Sequence, residues 1–239
     1  MSEPRTVVVT GASKGIGRAI CDKLLGQGHT VIGLARNFAS LSEPSSRFHP
    51  HVIDLADLAV LPRYLAELVQ GYPQIDAVIL NAGRGRFGSL EEFSYTQIDA
   101  LMALNFTAQA YIARALLPGL KRRGFGDLVF IGSEAALWGG RRGAVYSASK
   151  AALRAFAQAL RDECARSSIR VCVINPGAVR SEFFNELHFC PGAAPENAIL
   201  PEEVAAAVVH VLTARQGVVF DEINLSPLKK VLHFGTQKP

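Results

Sequence analysis

Residues 10–17 read Thr10-Gly-Ala-Ser-Lys-Gly-Ile-Gly17, and the fold is decided by what flanks them. Before them, Thr6–Thr10 (TVVVT) is a β-branched run of strand length that stops at Gly11. After them, Gly15–Gln27 places Ile16, Ala19, Ile20 and Leu24 at helical spacing. A strand, a glycine turn and a helix in that order form the context in which a dinucleotide pyrophosphate is bound. Gly11, Gly15 and Gly17 let backbone approach an anion where a Cβ would block it. The helix start turns free N–H groups and its positive dipole end toward the same place. Ser13, Lys14 and Ile16 complete the predicted cradle.

Working outward, apolar runs of strand length alternate with amphipathic stretches of helix length. Further strands are expected at Thr30–Ala35, His51–Asp54, Asp76–Leu80, Asp127–Gly132, Arg170–Ile174 and Val218–Ile223. Helices are expected at Asp57–Gln70, Tyr95–Leu104, Phe106–Arg122, Val145–Cys164 and Pro201–Thr213. Near-continuous apolar strands belong to a parallel sheet covered on both faces. The expectation is therefore an α/β fold, a Rossmann-type doubly wound parallel sheet of about seven strands in order 3-2-1-4-5-6-7. One domain over residues 1–239 suits this length, with Ser181–Leu200 as a substrate-side loop.

The end of the second strand bears on cofactor choice. A carboxylate there would accept from a ribose 2′-hydroxyl, but this chain has Ala35 and then Arg36. With Lys14 nearby, two cations suit a 2′-phosphate and point to NADP(H); the competing reading makes both surface charges. Asp54 ends the third strand and either accepts from the adenine amino group or caps the following helix.

Tyr146 and Lys150 lie one helical turn apart and share a face. A neighbouring ammonium favours the phenolate and should lower a tyrosine pKa from its usual value near ~10, as would a positive oxidised nicotinamide. The pair then serves as general acid/base toward an alcohol or carbonyl. Ser133, past the fifth strand, is placed to steady the substrate oxygen, and Asn105 to hold a water that links Lys150 to solvent.

These residues, in order, carry a resemblance. TGASKGIG (10–17), DL (54–55), NAG (81–83), Asn105, Ser133, YSASK (146–150) and PGAVRS (176–181) make the chain similar to the short-chain dehydrogenase/reductase family, NADP-preferring branch, along nearly its full length. The resemblance implies a catalytic tetrad of Asn105, Ser133, Tyr146 and Lys150, with Lys150 also holding the nicotinamide ribose. It implies cofactor contacts at Asp54, Leu55, Asn81, Ala82 and Gly83, and a nicotinamide loop of Pro176, Gly177, Val179 and Ser181. The implied activity is NADP(H)-dependent interconversion of a carbonyl and a secondary alcohol. Departures are Leu80 before NAG, Pro44 and Pro50 in a short segment after Arg36, and Asn224-Leu225-Ser226-Pro227 after the last strand.

The competing class is a non-catalytic nucleotide-sensing or regulatory protein on the same fold. Such proteins often lose the tyrosine or lysine that this chain keeps. An epimerase or dehydratase with tightly held NAD sits poorly with Arg36. Ala135, Trp138, Arg141, Arg142, Phe183, Phe184 and Leu187 are expected around a substrate pocket. They leave open a modest apolar substrate or a carboxylate paired with Arg141 or Arg142.

Composition narrows the remainder. Net charge is +4, from 25 basic and 21 acidic residues, and the clusters at Lys121–Arg123 and Arg141–Arg142 are short. Nucleic-acid binding is not expected of so slight an excess. The cysteines Cys21, Cys164, Cys172 and Cys190 form no CxxC pair, so no metal or disulfide is expected, and a cytoplasmic location follows. Without a secretory leader or ~18 uninterrupted apolar residues, membrane insertion is not expected. Phe106–Leu117 and Ala148–Leu160 are apolar around much of their circumference and point to a homodimer or homotetramer.

Overall fold

A computed structural model describes residues 3–39 and 45–235. Strands β1 (Thr6–Thr10), β2 (Thr30–Ala35), β3 (Phe48–Val52), β4 (Ala77–Leu80), β5 (Gly126–Ile131) and β6 (Ile169–Pro176) precede β7 (Phe189–Pro191), β8 (Glu222–Leu225) and β9 (Leu232–Phe234). Seven strands form one sheet in order β3-β2-β1-β4-β5-β6-β8, every neighbouring pair parallel, as the expected 3-2-1-4-5-6-7 winding requires. β7 and β9 make a separate antiparallel pair.

Successive side chains leave opposite faces of a strand, and the core divides accordingly. Val8, Val78, Leu128, Phe130, Val171 and Val173 pack on one face against α2 (Leu61–Gly71), α4 (Ala108–Arg123) and α5 (Ala144–Ala165). Val7, Val9, Ile79, Val129, Cys172 and Ile174 pack on the other against α1 (Gly15–Gly26) and α6 (Pro201–Thr213). Because the winding reverses between β1 and β4, the carboxyl ends of these strands open a crevice at that point.

Several boundaries differ from expectation. β3 begins at Phe48, with Pro50 inside this edge strand, and does not reach Asp54. α2 starts at Leu61 because Asp57 Oδ1 accepts from the N–H groups of Ala59 and Val60 in a turn. The last parallel strand is Glu222–Leu225 instead of Val218–Ile223. Residues 36–39 and 45–47 form no helix, and Pro44 lies outside the described residues. The two helices expected around Asn105 are one: α3 (Tyr95–Met102) runs through a π turn at Ala103–Thr107 into α4. This 29-residue stretch is long and apolar enough to cross a bilayer by composition, yet Ile112, Leu116 and Leu120 pack it onto the sheet. Gly124, left-handed at φ 69°, terminates it.

The amino ends of the strands are tied by a buried ionic cluster. Asp127 accepts from Arg170 Nε at 2.6 Å and lies 2.7 Å from Arg5 Nη1, while Arg5 Nε reaches Asp76 at 2.7 Å. Both guanidiniums also donate to the Leu212 carbonyl at the end of α6. Removing one partner leaves buried charge uncompensated, at a typical penalty of about 3–5 kcal/mol. Asp127→Asn is therefore expected to lower the unfolding free energy by about 3 kcal/mol, read as a lower urea midpoint at unchanged slope.

Candidate active site

The crevice begins at the glycine turn. Gly11 and Gly15 have φ of +66° and +54°, a region that glycine occupies without a Cβ clash. A Cβ on Gly17 would overlap the Gly11 carbonyl oxygen, so α1 packs on the turn only through glycine. Gly11 and Ala12 donate to the Leu34 carbonyl, which fixes the turn beside the end of β2. Lys14 occupies the N-cap without a side-chain bond, and the first turn of α1 carries no acidic residue. Its leading N–H groups are thus left for an anion. Ser13 and Ile16 are half-buried on the same turn. A dinucleotide pyrophosphate fits this cradle.

The two cations stand apart. Arg36 is the first residue past β2 and is exposed. Lys14 Nζ is 2.7 Å from Glu182 Oε2, with both side chains largely exposed, so Lys14 bridges to the substrate-side loop. That loop faces the cradle: a Cβ on Gly15 would lie 3.5 Å from the Ser181 Cβ. Asp54 Oδ1 accepts from the Ala56 N–H and caps no helix, while Leu55 is buried in the core.

The segment after β4 is bound to β1. Thr10 Oγ1 accepts from the N–H groups of Asn81 and Ala82 at 2.9 and 2.8 Å, and Asn81 Nδ2 donates to the Thr10 carbonyl. Gly83 lies where a Cβ would come 3.2 Å from Asn105 Oδ1 and 3.4 Å from Lys150 Nζ. The NAG turn, Asn105 and Lys150 therefore meet at one point.

Tyr146 and Lys150 are both buried on α5. Lys150 Nζ donates to the Ile131 carbonyl at 2.9 Å, two residues before Ser133. Burial pushes the Lys150 pKa down to about 8. It pushes the Tyr146 phenol up to about 12, and a hydrogen bond with Ser133 opposes this. The expected lowering of the tyrosine is thus reversed in the free protein, where desolvation outweighs the hydrogen bond with Ser133. Ser133 caps a 3₁₀ turn, its Oγ accepting from the Ala135 N–H.

Asn105 lies in the π turn, where the chain departs from the regular helical ladder. Its Nδ2 protons are taken by the Arg84 carbonyl and Ser149 Oγ, and its Oδ1 accepts from the Arg84 N–H. Any link from Asn105 to Lys150 therefore runs through its oxygen atoms. Pro176 ends β6, Gly177 donates to the Leu225 carbonyl, and Val179 is buried beside Ile199. Ser181 Oγ accepts from the Phe183 N–H at the head of a short turn.

Of the expected pocket residues, Phe183 comes within 6.0 Å of the Tyr146 ring and Phe184 packs on Phe183. Trp138, in contrast, is 79% exposed, and Arg142 pairs with Glu92. Ala135 and Leu187 are half-buried and Arg141 is exposed.

Sequence reasoning missed five kinds of residue. Thr10 was quoted in the turn without its clamping role. Gln109 donates to the carbonyls of Ala82 and Leu104, and its position four residues after Asn105 on an apolar helix was the available signal. Asn175, a polar residue ending an apolar strand, accepts from the Ser133 N–H and donates to Glu222 and Asn224. Glu222 in turn receives both guanidinium arms of Arg154, one turn beyond Lys150. Phe87, Phe189 and Phe234 carried no local signal.

Comparison with known proteins places this geometry. The family model for short chain dehydrogenases matches residues 5–188. An uncharacterized oxidoreductase of Staphylococcus epidermidis is 29% identical over 228 residues, covering 94% of this chain and 97% of that protein. The NADP-dependent 3-hydroxy acid dehydrogenase YdfG of Escherichia coli O6:H1 is 31% identical, covering 93% of this chain and 94% of its own. The solved structure of an alcohol dehydrogenase from the archaeon Thermococcus sibiricus, complexed with 5-hydroxy-NADP, superposes with a TM-score of 0.84 at 26% identity over 99% of both chains.

The depressed Lys150 pKa has a consequence for stability. Below pH 8 both folded and unfolded chains carry this charge, and the folded one bears its desolvation. Between about 8 and 10.5 the unfolded chain holds more protons, so stability rises with pH. Lys150→Met is expected to raise the unfolding free energy at pH 7 by about 1–3 kcal/mol. The gain should narrow between pH 8 and 10.5 in denaturant titrations, and a destabilised variant at pH 7 would contradict it.

Proposed function

The chain belongs to the short-chain dehydrogenase family, and from that premise we propose that it is an NADP(H)-dependent oxidoreductase interconverting a carbonyl and a secondary alcohol. The observation that carries the proposal is the meeting of Ser133, Tyr146, Lys150 and Asn105 at the carboxyl edge of the sheet, beside an uncapped helix start. NADPH held in this crevice would supply the hydride for the carbonyl carbon.

Tyr146 delivers a proton from its phenol to the carbonyl oxygen and takes it back in the reverse direction. Ser133 donates to the same substrate oxygen and holds it as negative charge develops. Lys150, cationic at neutral pH, favours the phenolate left behind and binds the ribose next to the reacting ring. Asn105 fixes the position of α5 through Ser149. Gly11, Ser13, Lys14, Gly15, Ile16 and Gly17 hold the pyrophosphate, and Arg36 with Lys14 takes the 2′-phosphate in place of Glu182. Asp54, Leu55, Asn81, Ala82 and Gly83 line the adenosine side, and Pro176, Gly177, Val179 and Ser181 the nicotinamide side.

Residues 1–239 act as one domain in this reading, in the cytoplasm. Leu104 and Phe106 in the π turn, Leu117 on α4 and Phe156 on α5 are apolar yet only half-buried, which supports a homo-oligomer built on those helices. Retention of the whole polar set argues against the nucleotide-sensing alternative.

Tyr146→Phe is expected to lower kcat/KM for carbonyl reduction about 10³-fold while NADPH binding, followed by fluorescence, changes less than about twofold. Unchanged turnover would remove the tyrosine from the chemistry. Arg36→Asp is expected to shift the NADPH-to-NADH affinity ratio by at least about tenfold toward NADH, since it replaces an ion pair to phosphate with repulsion. An unaltered ratio would make Arg36 a surface charge only.

A further inference from the structure

Five phenylalanines from three distant segments gather around the Tyr146 ring. Phe87, after β4, lies 5.1 Å from it and Phe183 lies 6.0 Å from it, centroid to centroid. Phe183 packs on Phe184 at 5.2 Å, Phe184 on Phe189 at 5.8 Å, and Phe189 closes the ring of contacts on Phe87 at 5.0 Å. Phe234, on β9, meets Phe189 at 5.9 Å. Apart from Phe183–Phe184 and Phe184–Phe189, these contacts are invisible to local periodicity, because they join residues far apart in the chain.

The simplest alternative is that these rings merely glue the substrate-side loop to the body. Three features argue otherwise. First, Phe87, Phe183, Phe184 and Phe189 are half-buried and Phe234 is 79% exposed, whereas the core Phe130 is fully buried. Second, room for the cluster is made by glycine: a Cβ on Gly85 would overlap Phe183 and touch Phe87 at 3.0 Å, and one on Gly143 would stand 3.3 Å from Phe87. Third, the cluster touches the ring of the residue assigned the proton transfer, so whatever it binds lies next to the reacting carbon.

Several cations on this side are engaged by the protein's own groups, while Arg141 is exposed. Arg142 pairs with Glu92, Lys229 with Glu196 and Lys230 with Glu134. Arg180 Nη2 donates to the carbonyls of Gly192, Ala193 and Ala194. Arg86 stacks over Phe93. An acidic substituent paired with any of these engaged cations would have to break such contacts, whereas a neutral ring meets edges and faces already set at aromatic spacing.

We propose that Phe87, Phe183, Phe184 and Phe189, with Phe234 at the mouth, form an aryl subsite, and that the substrate is an uncharged ketone or secondary alcohol bearing an aromatic ring close to the reacting carbon. The subsite rests on the oxidoreductase reading for its place beside the chemistry. It separates this chain from a 3-hydroxy acid specificity.

The test compares kcat/KM with NADPH for 4-phenyl-2-butanone, 2-octanone and 3-oxobutanoate, in the wild type, Phe87→Leu and Phe189→Leu. The aryl ketone is expected to exceed the alkyl ketone by about tenfold or more, and the ratio to fall several-fold in both leucine variants while NADPH affinity holds. Preference for 2-octanone or 3-oxobutanoate, or a ratio untouched by both substitutions, would overturn the subsite and leave the oxidoreductase reading standing. Saturation-transfer NMR with 4-phenyl-2-butanol against 2-octanol supplies a binding readout that needs no turnover. Should no carbonyl be reduced, the function proposal fails, and tighter binding of the aryl alcohol that is lost in Phe189→Leu still upholds the subsite. Equal binding of the two alcohols overturns it.

Discussion

Lys150 Nζ donates to the Ile131 carbonyl at 2.9 Å in a buried setting, and this bond fixes α5 against the end of β5. Ser133 lies two residues beyond that carbonyl and Tyr146 one turn before the lysine, so a single contact sets the spacing of all three. The bond forms at the cost of the ammonium's hydration, and the pKa near 8 records that cost. A second tie runs behind the same residues. Ser133 N–H, Asn175, Glu222 and Arg154 form a polar relay from β5 through β6 and β8 back to α5. Two independent bridges therefore hold strand end and helix in one register, which suits groups that must stay within hydrogen-bond reach of a common atom.

The opposite wall of the crevice is organised by Thr10. Its hydroxyl holds Asn81 and Ala82, Asn81 returns a bond to its carbonyl, and Gly17 allows α1 to close on the turn. Gln109 extends the same wall by gripping Ala82 and the Leu104 carbonyl in the π turn. Far from the crevice, the Arg5–Asp76–Asp127–Arg170 cluster fixes the other ends of β4, β5 and β6. The sheet is thus clamped by charge at its amino edge, which leaves its carboxyl edge for loops and for ligands.

Much of this was legible from residues. TVVVT and AVIL read as strands because they are short β-branched or apolar runs, buried nearly throughout, and TGASKGIG marks the turn from the first of them into α1. The failures have physical causes. Glu222–Leu225 reads poorly as a strand because Glu222 is drawn inward by Arg154 and Asn175, while apolar Val218–Phe220 forms no pairing. Asn105 reads as a break between helices because the π turn accommodates an extra residue and shifts the phase of the apolar period there. The aromatic cluster and the three-residue strands β7 and β9 exist only through contacts between segments that local patterns do not relate.

The reversed tyrosine bears on direction in the proposed reaction. Desolvation, opposed at the phenol by the hydrogen bond with Ser133, moves Tyr146 up to about 12 and Lys150 down to about 8, so at neutral pH the free protein holds a protonated phenol beside a cation. A protonated phenol is a proton donor, the form that carbonyl reduction uses. Alcohol oxidation begins instead from the phenolate, which in this buried setting requires further positive charge close by. The aromatic rings cannot supply that charge, since they exclude water and raise the cost of the ionised form. The same enclosure that would grip a neutral aryl substrate therefore keeps the phenol protonated, the form from which the proposed reduction starts.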